Sequence, residues 1–305
     1  MDVVEYYRMV QTQDGRAWNT ISNATSVINK FLVCVDKDVK DITPDDVRKW
    51  ISVAGVAPST LRTYLSTVKT FFDLLMESDS FDVNRNPVTV IMRRQTPDRH
   101  DKQRSQKTIT EVSRFLKSIR HMGDRAMFVI LAKFGLRVSE LVCLTVADYD
   151  PVAKTLSITK HASRARNKLE GIKPGRKNGR STILPIDQEL LYILDTHIKA
   201  TGKKGHDPIF TNDKGRRIAT NTVQNRFDAW ATSSGFKAAD DEGVAPHWFR
   251  HFIAFQLISA GCNPMVVDYI RGDVAGDIKN HYARQVLPFE KIRSEYIRTV
   301  PQFGL

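Results

Sequence analysis

The chain has 305 residues, 41% hydrophobic and 26% charged, which suits about two globular domains and excludes disordered, fibrous and low-complexity classes. Lys and Arg number 46 against 34 Asp and Glu, a net charge of +12, and such a surplus points to a polyanionic partner, most often nucleic acid. The longest apolar run near the middle, 126–132, is far short of the roughly 20 residues that cross a bilayer. The opening Met-Asp-Val-Val-Glu-Tyr carries early acids and no basic segment, so no secretory signal is expected and the chain is placed in the cytoplasm. Cys34, Cys143 and Cys262 form neither a disulfide framework nor a metal knuckle and are expected to be buried thiols.

In chain order, apolar residues at Ile21, Ala24, Val27, Ile28 and Phe31 recur with a helical period and predict a helix over 19–35. Thr43-Pro44-Asp45-Asp46 reads as a second helix start, with a capping threonine, a first-turn proline and acids at the positive dipole end. Pro58 opens a third helix that turns Leu61, Tyr64, Leu65, Val68, Phe72 and Leu75 inward. Its other face offers Arg62, Ser66 and Lys69, which can reach phosphates but would suit any solvated helix. The stretch 93–107 then holds Arg93, Arg94, Arg99, Lys102, Arg104 and Lys107 against Asp98 and Asp101. With no apolar face to pack, it predicts an exposed basic linker.

Helices follow over 111–119, 125–134 and 139–144. Thr155-Leu-Ser-Ile-Thr159 alternates as a strand, with Ser181-Thr-Ile-Leu-Pro185 as its partner. Between and around them, 154–180 carries nine Lys and Arg with Glu170 the one acid, a solvated loop or a second surface for DNA. Further helices are expected over 189–198, 222–230, 249–260 and 264–270, with an amphipathic tail over 289–300.

Two short motifs carry chemistry. Gly135-Leu136-Arg137-Val138-Ser139-Glu140-Leu141 puts an arginine at a turn into a helix, with Glu140 three residues on to fix the guanidinium. His247-Trp248-Phe249-Arg250-His251 places His247 and Arg250 on one helical face, a proton-transfer group beside a phosphate-binding cation. The His247–His251 spacing also mimics a zinc helix. The residue after His247 is tryptophan, not glutamate, and no third ligand stands near, so metal binding is not expected and His251 reads as structural.

Taken together, these motifs resemble the tyrosine recombinase (phage integrase-type) family. Tyr282 follows Arg250 by 32 residues and Arg250 follows Arg137 by 113, separations of the size that family shows. Lys177-Asn-Gly-Arg-Ser-Thr-Ile-Leu-Pro185 is similar to the family's segment around its catalytic hairpin lysine. The first domain, with its D-I-T-P-D-D-V start, its S-T-L-R-T-Y helix and Asn86-Pro87, is similar to the family's core-binding domain, so the resemblance spans nearly the whole chain. It implies a mainly α fold: an N-terminal helical core-binding (SAM-like) domain at 1–95, a basic linker at 96–107, and a mostly α catalytic domain with a small antiparallel β-sheet and C-terminal tail at 108–305.

The resemblance also implies roles. Tyr282 would attack the scissile phosphate and form a 3′-phosphotyrosyl link, Arg137 and Arg250 would hold the non-bridging oxygens, Lys177 would protonate the leaving 5′-oxygen, and His247 would assist the tyrosine. A phenol, with a pKa of about 10, needs such cationic surroundings. Neither metal nor ATP would be required. Arg62, Lys69, Arg99, Lys102 and Arg104 would contact double-stranded DNA, with a dimer on each site, a tetramer in synapsis and accessory DNA-bending proteins. Tyr269 and Tyr296 are rival nucleophiles, Lys160 and Lys173 rival acids, and the tail resembles family tails that dock on a neighbouring protomer.

One position departs from the pattern. Asp273 stands where the family commonly has histidine, nine residues before Tyr282. An ionised carboxylate about 4 Å from the scissile phosphate would oppose it by roughly 4 kcal/mol at an effective dielectric near 20. Asp273 is therefore expected to turn away and pin Arg271 or Arg250. The long hairpin and Arg271-Gly272-Asp273 resemble archaeal mobile-element relatives. The alternatives are a type IB topoisomerase or telomere resolvase, and a DNA-binding regulator on a catalytically dead scaffold.

Overall fold

The structure, a computed structural model, describes residues 1–89, 106–165, 168–174, 176, 179, 181–238, 243–273 and 287–305, with backbone alone over 164–173. The chain forms two compact units, one built on residues 1–103 and the other on 104–163 and 168–305.

The described part of the first unit contains four α-helices: α1 (Val3–Gln13), α2 (Trp18–Val35), α3 (Pro44–Val53) and α4 (Pro58–Met76). The α3 start is a reciprocal cap, in which the Asp46 N–H donates to the Thr43 hydroxyl and Asp46 accepts from the Thr43 N–H. An aromatic core joins the helices. Phe31 packs edge-on against Trp50 at 5.0 Å and against Phe72 at 6.1 Å. Helix α1 was not anticipated: its buried face is Val4, Tyr7 and Gln11, and two apolar residues with a glutamine make a weak periodic signal. Cys34 corrects a second expectation, since it is exposed whereas Cys143 and Cys262 are buried.

The second unit opens with α5 (Ile109–Ser118), whose Thr108–Glu111 pair forms another reciprocal cap. Helix α6 (Met122–Phe134) is buried throughout from Ala126 onward, and the short α7 (Val138–Leu141) follows. Strands β1 (Tyr149–Asp150), β2 (Thr155–Ile158) and β5 (Thr182–Pro185) form an antiparallel sheet in the order β1-β2-β5. Its register sets Leu156 opposite Leu184, both fully buried. The basic block between β2 and β5 contains a two-stranded ribbon, β3 (Lys160–Ala165) and β4 (Lys168–Pro174). Helices α8 (Gln188–Thr201), α9 (Thr220–Ser233), α10 (Phe249–Ser259), α11 (Pro264–Arg271) and α12 (Phe289–Thr299) complete the described elements. Phe115, Phe128, Phe227, Phe236 and Phe249 form the aromatic centre, with Phe115 stacked on Phe236 at 4.5 Å.

The tail folds back onto its own unit. Tyr296 is fully buried, stacks on Phe134 at 5.5 Å and donates its hydroxyl to the Lys133 carbonyl at 3.0 Å. Lys133, also fully buried, donates to Asp187 at 2.5 Å, Glu189 at 2.7 Å and the Pro301 carbonyl at 3.0 Å. Glu189 in turn accepts the backbone N–H groups of Phe303 and Leu305.

Candidate active site

The site begins where α6 ends. Gly135 takes a left-handed conformation, φ +59°, and its N–H caps the Leu131 carbonyl at 2.8 Å. A Cβ there would lie 2.7 Å from Ile253 Cγ2 and 2.9 Å from Arg250 Cα, so only glycine lets the end of α6 meet α10 this closely. The contact is used: Arg250 Nη1 donates to the Gly135 carbonyl at 2.6 Å.

Arg137 lies two residues on, extended at φ −68° and ψ 141°, just before α7. Its N–H donates to Glu140 Oε2 at 3.0 Å, and its Nη1 to Oε1 at 3.3 Å. Glu140 is fully buried. Burial alone would raise its pKa, but the Arg176 guanidinium and the Arg137 backbone and charge outweigh it and hold the carboxyl below its ordinary value.

Arg250 sits in the first turn of α10 and is 2% exposed. Its Nη2 donates to the Arg271 carbonyl at 2.7 Å and to Asp273 Oδ1. Burial pushes its pKa down to about 10, against the pull of Asp273, which leaves it charged at neutral pH. Asp273 gathers three guanidiniums: Oδ1 accepts from Arg250 and from Arg137 Nη2 at 3.3 Å, and Oδ2 from Arg271 Nη2 at 3.1 Å. The sequence motifs Arg137-x-x-Glu140, His247-x-x-Arg250 and Arg271-Gly272-Asp273 thus meet at one carboxylate. The Asp273, Arg137 and Arg271 side chains are 29%, 25% and 20% exposed, with Arg250 buried behind them; three cations against this one carboxylate leave a net charge of two, suited to a phosphate.

His247 is exposed in the turn Pro246–Trp248 ahead of α10. The alternation is physical: Trp248 and Phe249 enter the core and leave His247 outside, with its ring 5.7 Å from that of His251. Two rivals are occupied. Tyr296 is buried, which drives its phenol well above the ordinary value, and the Tyr269 hydroxyl donates to the Ile183 carbonyl at 2.9 Å. The Lys160 ammonium is paired with Asp148 at 3.1 Å. In the first unit, Arg62 is half-buried on α4, and Lys69 pairs with Asp73 at 2.6 Å. Tyr282, Lys177, Arg99, Lys102 and Arg104 lie outside the described residues, as does the Lys173 side chain.

Sequence reasoning missed Arg176. Its place in a run of cations suggests a solvent-facing side chain, yet it is fully buried and binds Glu140 through two nitrogens. Nothing in the run Gly175-Arg176-Lys177 separates it from its basic neighbours.

The phage integrase family model matches residues 105–286, and the family's N-terminal SAM-like domain matches 3–79. Tyrosine recombinase XerC of Leptospira interrogans is 23% identical over 97% of this chain and 92% of its own length. Tyrosine recombinase XerA of Saccharolobus solfataricus is 23% identical over 94% and 88%. Among solved structures, the Tn1549 transposon integrase in complex with a circular intermediate DNA aligns with a TM-score of 0.72 at 18% identity, over 98% of this chain and 99% of that one. A lambda integrase dimer bound to a core site aligns at 0.68 and 16%, over 90% and 94%. The likeness in fold, the ordered motifs and a family match over most of the catalytic unit converge: this chain belongs to the phage integrase family of tyrosine recombinases.

Proposed function

We propose that the chain is a site-specific DNA recombinase. The observation that carries this reading is the convergence of Arg137 and Arg250 on one anion, the Asp273 carboxylate, beside a solvent-open face. Two guanidiniums held this way can take the two non-bridging oxygens of a phosphodiester. In the proposed reaction the Tyr282 oxygen attacks phosphorus and its proton leaves with help from His247. The bond from phosphorus to the 5′-oxygen breaks, and that oxygen takes a proton from the Lys177 ammonium. One phosphate ester replaces another, so a 5′-hydroxyl from a partner strand can reverse the step with neither metal nor ATP. Burial of Tyr296 and pairing of Lys160 with Asp148 support Tyr282 and Lys177 over those rivals.

Double-stranded DNA is the substrate in this reading. Arg62 and Lys69 would meet the backbone from the first unit, Arg99, Lys102 and Arg104 from the segment between the units. The working assembly is a dimer on each recombination site and a tetramer in synapsis, with accessory DNA-bending proteins and a mobile-element origin as further parts of the proposal.

The test is covalent trapping on duplexes tiled from the DNA that flanks the gene. The protein should leave a 3′-linked adduct, and Tyr282→Phe should bind the same duplex without one. An adduct that persists in Tyr282→Phe and vanishes in Tyr296→Phe would reassign the nucleophile. Plasmid relaxation without strand exchange would favour a topoisomerase or telomere resolvase, and binding without any adduct a regulator.

A further inference from the structure

Arg271 is the least committed cation of the site. Arg250 bonds the Gly135 and Arg271 carbonyls as well as Asp273, and Arg137 divides its guanidinium between Glu140 and Asp273. For Arg271, Asp273 is the one side-chain partner among the described residues, with Oδ2 against Nη2 at 3.1 Å. Its Nε is buried and has no hydrogen-bond partner among them, and a buried donor left unpaired calls for a reason.

A cation on the last turn of a helix can serve the helix itself, whose C-terminal carbonyls are negative. At the end of α11 other side chains already do this. Arg176 donates to the Ile270 carbonyl at 3.1 Å, and Arg176 and Arg250 donate to the Arg271 carbonyl at 2.6 and 2.7 Å. The same bonds pin the Arg271 backbone, so its side chain starts from a fixed point. That side chain is 20% exposed and reaches the carboxylate on which Arg137 and Arg250 meet.

A carboxylate and a phosphodiester each offer two oxygens to guanidinium groups. The oxygens of Asp273 therefore mark how the cations are disposed around an anion: Arg250 and Arg137 at Oδ1, Arg271 at Oδ2. Charge decides whether the third cation is needed. Two guanidiniums less one carboxylate leave one positive charge, which balances a resting phosphodiester. As the nucleophile adds to phosphorus, further negative charge gathers on the non-bridging oxygens. Arg271 raises the surplus to two and so favours that state over the resting one, which is the kind of contact that speeds the step.

We propose that Arg271 is a third phosphate-binding arginine of the active site, held by Asp273 Oδ2 and donating to one non-bridging oxygen of the scissile phosphate. It passes no proton and forms no covalent bond. This rests on the recombinase reading above.

The experiment measures cleavage of three duplexes built on the site that covalent trapping identifies, at saturating protein. One is ordinary DNA; in the other two a methyl group replaces one or the other non-bridging oxygen of the scissile phosphate. The variant is Arg271→Met, which keeps the stem and loses the guanidinium. On ordinary DNA it should cleave about 10²–10³-fold more slowly than wild type. On the isomer whose methyl stands in place of the Arg271-bound oxygen, wild type has no such contact to lose, and the gap should shrink to less than about tenfold. Where the methyl group stops wild type altogether, the two isomers carrying sulfur in place of each oxygen are read in the same way. A gap of similar size on all three duplexes, or none on ordinary DNA, overturns the proposal, since Arg271 would then act through the fold or not at all. Should Arg271→Met fail to fold, Arg271→Lys is judged by the same isomer comparison, and failure of both to fold counts against the proposal as well. No adduct with wild type on ordinary DNA sinks the recombinase reading beneath; an adduct there with no isomer-selective loss in the Arg271 variants sinks Arg271 alone.

Discussion

Two groups of charge in the second unit lie at the same end of α6 and differ in how far they are closed. Lys133 lies near the end of α6 with Asp187 and Glu189, at exposures of 0%, 4% and 8%. Arg137 and Arg250 lie just past that end with Asp273, at 25%, 3% and 29%. The first group is sealed: its lysine donates to two carboxylates and a carbonyl, and from the tail Glu189 accepts two backbone N–H groups and Asp187 the Gln302 side-chain amide. The second is closed from below and open above. A sealed group can only hold the fold together, whereas an open one can exchange its internal anion for an external one. Degree of closure, rather than burial as such, separates structural charge from chemical charge here.

The sharpest way to break that comparison is to remove one partner from the sealed group. Lys133→Met leaves Asp187 and Glu189 buried without their cation, and should lower unfolding stability by about 3–5 kcal/mol in urea titration. An effect within the error of wild type would mean that the group is wetter than it looks. The same variant has a pH signature. Glu189, like Glu140, is held below the ordinary 4.5: burial would raise it, but the Lys133 hydrogen bond and charge prevail. The folded state thus binds fewer protons than the unfolded chain. That stability is complete above the unfolded value and is lost as pH falls through the folded one. Lys133→Met should therefore lose less stability than wild type as pH falls below about 5.

In the open group, removing a cation should damage rate more than fold. Arg250→Ala should lower the cleavage rate by about 10²–10³-fold or more, with duplex affinity close to wild type in a mobility-shift titration. A loss confined to affinity would make Arg250 a binding residue. Smaller in effect is Gly135→Ala, which forces a Cβ onto Ile253 and Arg250 at a left-handed position. It should cost about 1–3 kcal/mol of stability and slow cleavage by displacing Arg250. The mildest change is Asp273→Asn, which keeps shape and part of the hydrogen bonding. It should alter the cleavage rate by less than about tenfold, roughly 1.4 kcal/mol, and leave the shape of the pH profile intact. Much faster cleavage would show that the carboxylate opposed the phosphate. Loss as deep as in Arg250→Ala, with binding intact, would put Asp273 in direct contact with the reacting group.

Much of the fold was legible because its signals are local. Thr43-Pro44-Asp45-Asp46 announces a helix start through side chains that bond their own backbone, and alternation in Thr155-Leu-Ser-Ile finds its partner in Thr182-Ile-Leu-Pro. Arg137 and Glu140 were legible as a pair for the same reason. Arg176 was not, because its burial is decided by Glu140 and by carbonyls 94 and 95 residues away, and nothing in its own neighbourhood differs from a solvated basic loop. Cys34 was misplaced because helical periodicity gives a face, not a depth. The tail's attachment to its own domain was unreadable too, as it depends on a lysine inside an apolar helix whose partners arrive from three later segments.

Asp273 has one more consequence, in the language of ions in solution. Exposed lysines and arginines wait for DNA with mobile chloride nearby, and each phosphate they neutralise frees ions held along the duplex, about 0.9 of a unit in the log–log salt dependence. Arg137, Arg250 and Arg271 wait with a counterion that is part of the chain and cannot diffuse away. Any phosphate arriving there trades places with, or sits beside, a tethered carboxylate whose local concentration no buffer changes. In the proposed DNA complex, the catalytic arginines would thus add less to the salt dependence of binding than their number suggests. Ionic strength would govern how firmly the protein grips the duplex from outside, and hardly at all how its centre receives the bond to be cut.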